Sequence, residues 1–393
     1  METMMDKKPI NISNSTGRKI IAVILACLPV FAPYALFGFV PLNIWVIVLG
    51  FFVMIISRKK VNFKTSLPII VLWGIHVLLS FLSAQFAIYN ASLLNSILVT
   101  SFTLVGIIYM WSNCDFETFT KFANFLGITS CILLFIQAIF IARGSEPPSG
   151  RLFSMDLLDY AGFVSTTWGF RLNSLFSEPS YFAIYILPLL ALSMSKKKYK
   201  LSLLYIISLV LSSSTLGIVG AAVVIVYYLL IEEKNIKLFI SILCLTLILH
   251  WVFYNTIPYY NMSVNRSFEK ISMIKEGHSD NRLYGQAYLY NHLPVIKQIV
   301  GVGVNQLQNY FSNRFPNIAN YSNSFIITLI NTGLIGLIAY VLFIIKTITF
   351  APKRKRLVYA IIFLLVAATD YFIYNHNFFY LLAFIYLQEE TRI

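Results

Sequence analysis

The chain has 393 residues, of which 58% are hydrophobic and only 12% charged. Soluble domains carry about 25% charged residues, so this chain lacks the polar surface to cover itself in water. Its net charge of +14 does not point to nucleic acid, because much of it lies in short blocks between apolar runs, Arg58–Lys60, Lys196–Lys198 and Lys353–Arg356, as the positive-inside rule expects of cytoplasmic loops.

The apolar runs are long, almost free of charge and not alternating, so they read as membrane-spanning helices and not as barrel strands. The expected fold is all-α: a polytopic integral membrane protein of about 12 transmembrane helices, with residues 1–393 as a single transmembrane domain. With Lys7, Lys8, Arg18 and Lys19 inside, spans over Ile20–Phe37 and Pro41–Ser57 return the chain to the basic stretch Arg58–Lys64. Spans over Ser66–Gln85 and Ala91–Trp111 return it to Asn113–Lys121. A fifth opens an outer loop at about 143–177, and a sixth, Glu178–Met194, comes back to Lys196–Lys200.

The stretch Leu201–Ile231 would be about 46 Å long as one helix, too long for a hydrocarbon core of about 30 Å without severe tilt. Ser212-Ser213-Ser214-Thr215 and Gly217 lie at its middle, so two short spans meeting at a polar break are expected. Counting it as one span would move Lys353–Arg356 outside, against the charge rule. A span over Leu238–Asn255 leads to the largest outer loop, about 256–322, and the resemblance described below implies that both outer loops are periplasmic. A span over Asn323–Ile345 returns inward, and Leu357–Leu387 folds as two spans turning near Asp370–Asn377. Cys27, Cys114, Cys131 and Cys244 mostly fall inside spans without metal-ligand spacing and read as packing residues. His76 and His250, also within spans, read as buried packing or hydrogen-bonding groups.

The two outer loops hold Arg143, Arg151, Arg171, Arg266, Arg282 and Arg314, which the positive-inside rule does not predict there. Arginine offers a fixed fork of donors suited to phosphate, and several at a membrane boundary would suit a lipid-linked diphosphate. The plain alternative is solvated loop charge or pairing with nearby acids. Arg171-Leu-Asn-Ser-Leu-Phe-Ser-Glu178-Pro179-Ser180 sets an arginine and a carboxylate at the start of the sixth span, with Pro179 at the first helical position. Glu178 could complement the helix N-terminus, act as a base, or orient Arg171. The outer acids lack metal-ligand clustering, and no phosphate-cradling glycine loop is visible, so no metal and no cofactor is expected.

Three stretches carry a resemblance to a known family. They are Arg171–Ser180; Asn281-Arg282 followed by Gly301-Val-Gly303; and Asn323-Ser-Phe followed by Gly333-Leu-Ile-Gly336. In order and boundary position they resemble the bacterial O-antigen and capsular polysaccharide polymerases (Wzy type) and the related O-antigen ligases, over about Ser92 to the end. The resemblance implies a GT-C-like membrane glycosyltransferase that joins undecaprenyl-diphosphate-linked repeat units at the periplasmic face of the bacterial inner membrane. Its partners would be lipid-linked glycan donor and acceptor, the bilayer, and a chain-length regulator, without nucleic acid. It implies Arg282, Arg171 and Glu178 as catalytic residues, and Arg266, Arg314, His278 and Asn323 as contacts to substrate or diphosphate. Many relatives, notably the ligases, have histidine just before that asparagine, where this chain has Ser322; the departure favours polymerase over ligase and leaves the base open. A flippase for the lipid-linked unit is the rival of another class, but neither an internal repeat nor charged span residues support it.

Overall fold

The computed structural model describes residues 14–37, 40–57, 63–84, 90–158, 172–234, 236–258, 260–262, 264–265, 286–311 and 323–390. They are mostly helical. The first five helices are α1 (Asn14–Phe31), α2 (Leu42–Ser57), α3 (Phe63–Ala84), α4 (Asn90–Ser112) and α5 (Phe116–Ala142). Then come α6 (Pro179–Ser195), α7 (Tyr199–Leu211), α8 (Thr215–Val226, continued by a π-turn Tyr227–Glu232) and α9 (Ile236–Thr256). Three short helices, α10 (Gln286–Asn291), α11 (Val295–Val300) and α12 (Leu307–Phe311), precede α13 (Ser324–Ile348), α14 (Arg356–Thr369) and α15 (His376–Glu390).

Among the described residues, five helical stretches are long and apolar enough to cross a membrane: Thr65–Ala84, Ala91–Ser112, Phe116–Ala142, Thr215–Glu232 and Ser324–Ile348. Six further apolar helices are shorter, including Pro179–Ser195, Tyr199–Leu211 and His376–Leu387. The expected count of about 12 would need the shorter helices to span as well as the five long ones. Short or broken helices are tolerated at membrane depth when protein surrounds them, and α6 and α15 meet that condition. Every residue from Phe182 to Leu192 is buried, and none from Phe378 to Leu387 is more than 2% exposed. Tyr185 and Tyr380 stack at the centre, with ring centroids 4.5 Å apart, and the Tyr380 hydroxyl donates to the Tyr185 carbonyl at 3.2 Å.

The first span differs from its expected extent of Ile20–Phe37. The helix stops at Phe31, near Pro33, whose missing N–H cannot continue the ladder. Among the described residues, the next ones pair as a small antiparallel sheet added to a helical fold. Strand β1 (Tyr34–Leu36) lies between β2 (Val40–Pro41) and β3 (Asp156–Leu157), with Tyr34 opposite Leu157 and Leu36 opposite Val40. The sheet ties the α1–α2 connection to the loop after α5.

The stretch 201–231 is broken where its hydroxyls cluster. Ser213 takes a left-handed φ of 50°, and Ser214 caps α8 by accepting from the Gly217 amide at 3.3 Å. The two arms fold back beside α6. There a Cβ on Gly217 would meet Ala183 at 3.2 Å, and one on Gly220 would meet Leu187 at 2.6 Å.

A second break lies inside α13. Gly333 has φ 67° and ψ −170°, a conformation nearly confined to glycine. The chain after α11 fills the gap this break opens: the Val302 amide donates to the Ile330 carbonyl at 2.9 Å, and the Gly303 amide to the Asn331 carbonyl at 2.8 Å. Backbone meets backbone here. A Cβ on Gly301 would lie 2.2 Å from the Asn331 carbonyl oxygen, and one on Gly333 would lie 2.1 Å from that of Ile299.

Candidate functional site

Glu178 stands at the N-cap position of α6 in extended conformation, followed by Pro179 at the first helical position. Its side chain makes no capping bond to the helix amides; its Oε2 accepts from the Ser180 hydroxyl at 3.0 Å. The segment before it is tightly anchored. Ser174, left-handed at φ 54°, donates its amide to Gln137 Oε1 at 3.0 Å and its hydroxyl to the Ser130 carbonyl at 2.6 Å. Asn173 Nδ2 donates to the Ser177 carbonyl at 3.2 Å. The half-buried Glu178 is therefore presented from a rigid support.

Asn323 caps α13, its Oδ1 accepting from the Ile326 amide at 2.9 Å. That is the ordinary N-cap function of asparagine, so a contact from Asn323 to substrate would fall to its Nδ2 donor. The five remaining candidates, Arg171, Arg266, His278, Arg282 and Arg314, lie outside the described residues.

Around Gly301–Val304 the structure adds Lys297, Ser80 and Ser83, which the sequence alone did not single out. Lys297 on α11 is 3% exposed; its Nζ donates to the Ser83 carbonyl and hydroxyl at 3.1 and 3.0 Å and lies 5.4 Å over the Tyr310 ring. Burial pushes this ammonium below its usual range. Ser83 in turn donates to the Gly301 carbonyl at 2.8 Å, and the Val304 amide donates to Ser80 Oγ at 3.1 Å. Gln306 and Asn309 both donate to Ser92 Oγ, at 3.4 and 3.0 Å. The last turns of α3 and the start of α4 thus lace the glycine segment in place. A single lysine inside Leu293-Pro-Val-Ile-Lys-Gln-Ile-Val300 was the available signal for Lys297.

The turn between α14 and α15 borders all of these parts. The Ser324 amide and hydroxyl donate to the Asp370 carbonyl at 3.0 and 2.8 Å, and the Phe372 amide donates to Ser324 Oγ at 3.0 Å. The Tyr371 hydroxyl donates to Asn305 Oδ1 at 3.1 Å. His376 meets the Tyr181 ring edge-on, with centroids 6.2 Å apart, three residues beyond Glu178. The structure therefore joins the Glu178 helix, the Gly301–Asn305 segment and the Asn323 cap at one end of the bundle. His76 has the hydrogen-bonding role expected of it, bridging the Gly336 carbonyl at 3.3 Å and the Tyr374 hydroxyl at 2.9 Å, and His250 bonds the Tyr260 hydroxyl at 2.8 Å. Among the described residues, no cluster of three or more His, Cys, Asp or Glu could hold a metal ion, and all four cysteines are free.

A family model described as O-antigen ligase matches residues 201–341. The matched stretch begins in α7, contains the Ser212–Ser214 break, the glycine segment and the Asn323 cap, and ends within α13. No curated protein and no solved structure matches the chain. The family covers polymerases and ligases of O-antigen, which are membrane enzymes, and it lends nothing to a flippase reading. Over those residues the chain is similar to the O-antigen ligase family, in agreement with its resemblance to the O-antigen polymerases and ligases.

Proposed function

We propose that this chain is a glycosyltransferase that polymerises undecaprenyl-diphosphate-linked repeat units into O-antigen or capsular polysaccharide at the periplasmic face of the inner membrane. The family match over 201–341 is the observation that supports this reading most. Ser322, where many ligases have histidine, favours the polymerase.

In the proposed reaction a hydroxyl oxygen of the acceptor repeat unit attacks the anomeric carbon of the donor's reducing-end sugar. The bond from that carbon to the diphosphate oxygen breaks, and the leaving diphosphate takes the electron pair. Glu178 receives the hydroxyl proton, or orients Arg171 while that proton passes to the leaving diphosphate. Arg282 and Arg171 stabilise the charge that develops on the diphosphate, with Arg266, Arg314, His278 and Asn323 as supporting contacts. Diphosphate is already a good leaving group, so charge stabilisation can replace a general acid. The lipid diphosphate carries the energy, and the proposal invokes no metal or cofactor.

The second reading is the ligase, favoured by the description of the matching family. Gene disruption followed by gel analysis of the cell's polysaccharide separates the two. A polymerase mutant retains a single repeat unit on the core; loss of every repeat, the first included, overturns the polymerase in favour of the ligase. Within the polymerase reading, Arg282→Ala in protein that inserts normally is expected to slow chain growth by about 100-fold. Unchanged growth removes Arg282 from the mechanism.

A further inference from the structure

Tyr374 is a bulky residue held at a left-handed φ of 62°. Such a conformation is disfavoured for an L-residue and persists only where the surroundings over-determine it. Here they do. The Tyr374 ring sits edge-on to Trp73, His76 and Phe378, with centroids 4.9, 5.7 and 5.9 Å away, and Trp73 is itself fixed by its Nε1 donating to Ser101 Oγ at 2.9 Å. The Gly336 carbonyl can only accept, so His76 Nε2 carries the proton in that bond. His76 Nδ1 is then the acceptor, and the Tyr374 hydroxyl the donor.

The consequence lies in what else the turn touches. Within residues 370–376, Asp370 and Phe372 bond Ser324 beside the α13 cap, Tyr371 bonds Asn305, and His376 contacts Tyr181 on the Glu178 helix. Gly336, the other partner of His76, lies one turn beyond the Gly333 break that receives Val302 and Gly303. Fixing Tyr374 therefore fixes the spacing among three segments that are far apart in the chain. A turn that only connected α14 to α15 would need neither the strained tyrosine nor these bonds.

We propose that Tyr374, acting through His76, is a positioning residue that holds the 370–376 turn and so sets the Glu178, Asn305 and Asn323 segments in register for glycosyl transfer. The catalytic part of this inference rests on the transferase reading above. The register itself does not, so the two can fail separately.

The test uses the full-length protein with Tyr374→Phe, His76→Gln, the double variant, and Tyr205→Phe as control. Tyr205 donates its hydroxyl to Asn124 Oδ1 at 2.9 Å between α5 and α7, away from the turn. Hydrogen exchange is read first. Tyr374→Phe is expected to speed amide exchange at 301–305 and 323–326, neither of which contains residue 374, while Tyr205→Phe leaves both unchanged. Unchanged exchange there in Tyr374→Phe overturns the proposal. With a lipid-linked repeat unit as substrate, Tyr374→Phe is expected to lower kcat by about tenfold while KM moves less than about twofold. The double variant should be no slower than the slower single variant, since both act on one bond. Multiplicative losses, or a kcat loss matched by Tyr205→Phe at equal melting temperature, overturn it. Wild-type protein inactive with both a repeat-unit and a core acceptor sinks the transferase reading, and the exchange data still decide the register.

Discussion

The central helices α6 and α15 and the peripheral helices α4 and α5 are built from the same kinds of residue and live in opposite surroundings. The central pair is short and enclosed by protein. The peripheral pair is longer and leaves a regular apolar stripe open: Leu94, Leu98, Phe102 and Val105 on α4, at 40–60% exposure, and Phe125, Ile132, Ile136 and Ile139 on α5. In water such stripes would be a liability; against lipid they cost nothing, because hydrocarbon is as apolar as leucine. Leaving lipid for the protein interior thus brings little hydrophobic gain. What holds the central pair is close packing and internal hydrogen bonds, such as Tyr185 donating to the Ala26 carbonyl at 3.0 Å. Stability should therefore track packing and not hydrophobicity.

The sharpest way to break this comparison is to make the same substitution in both regions. Leu187→Ala on α6, where the side chain is wholly buried, is expected to cost about 2 kcal/mol, since the cavity penalty survives even when the transfer gain is small. Leu98→Ala on α4, 60% exposed, should change stability by less than about 0.5 kcal/mol. Equal shifts in detergent melting temperature for the two variants would refute the packing account. Glycines make a gentler pair. Gly220→Ala drives a Cβ to 2.6 Å from Leu187 and is expected to destabilise by about 1 kcal/mol. Gly74→Ala on α3 meets nothing within 4 Å and should gain up to about 0.5 kcal/mol from helix propensity; a loss at Gly74 would mean that unseen contacts cover that face.

The smallest effect separates charge from packing. Asp115 caps α5 at the end opposite the candidate site, accepting from the Thr118 amide at 2.9 Å and from the Thr118 hydroxyl. Chiefly the hydroxyl bond, helped by the amide and by Arg18 and Lys19, holds its carboxyl below the usual value of 3.8. A depressed carboxyl contributes stability that is complete above its unfolded pKa and is lost as pH falls through the folded value. Melting temperature should accordingly drop on acidification in the wild type and drop less in Asp115→Asn, with Leu187→Ala keeping the wild-type slope. An Asp115→Asn slope equal to wild type would remove Asp115 from the acid response.

Several local features were legible in the sequence for identifiable reasons. The break at Ser212–Ser214 was visible because an unbroken helix would overrun the membrane and clustered hydroxyls offer alternative bonds to the backbone. Pro179 and Asn323 marked helix starts because their chemistry suits first positions. Glu178 was legible as a boundary carboxylate, but not its bond to Ser180. Lys297 was missed because one lysine in an apolar stretch reads as a snorkelling side chain until α3 is seen ending against it. The strand residues after Phe31 were read as span because Tyr34–Leu36 are as apolar as the helix before them.

By itself the sequence determined the class and much of the framework: too little charge for water, long apolar runs that form helices, and glycine, proline and hydroxyl signals where helices start or break. These are local properties of residue chemistry. Only the tertiary structure decided which helices lie at the centre and that the turn at 370–376 joins three distant segments. The physical reason is that helices apolar on every side carry no stripe to say which face is inside, and a membrane does not distinguish a buried leucine from a lipid-facing one. Partner choice then rests on shape, on close contacts such as Gly301 against Gly333, and on single hydrogen bonds such as Tyr374 to His76.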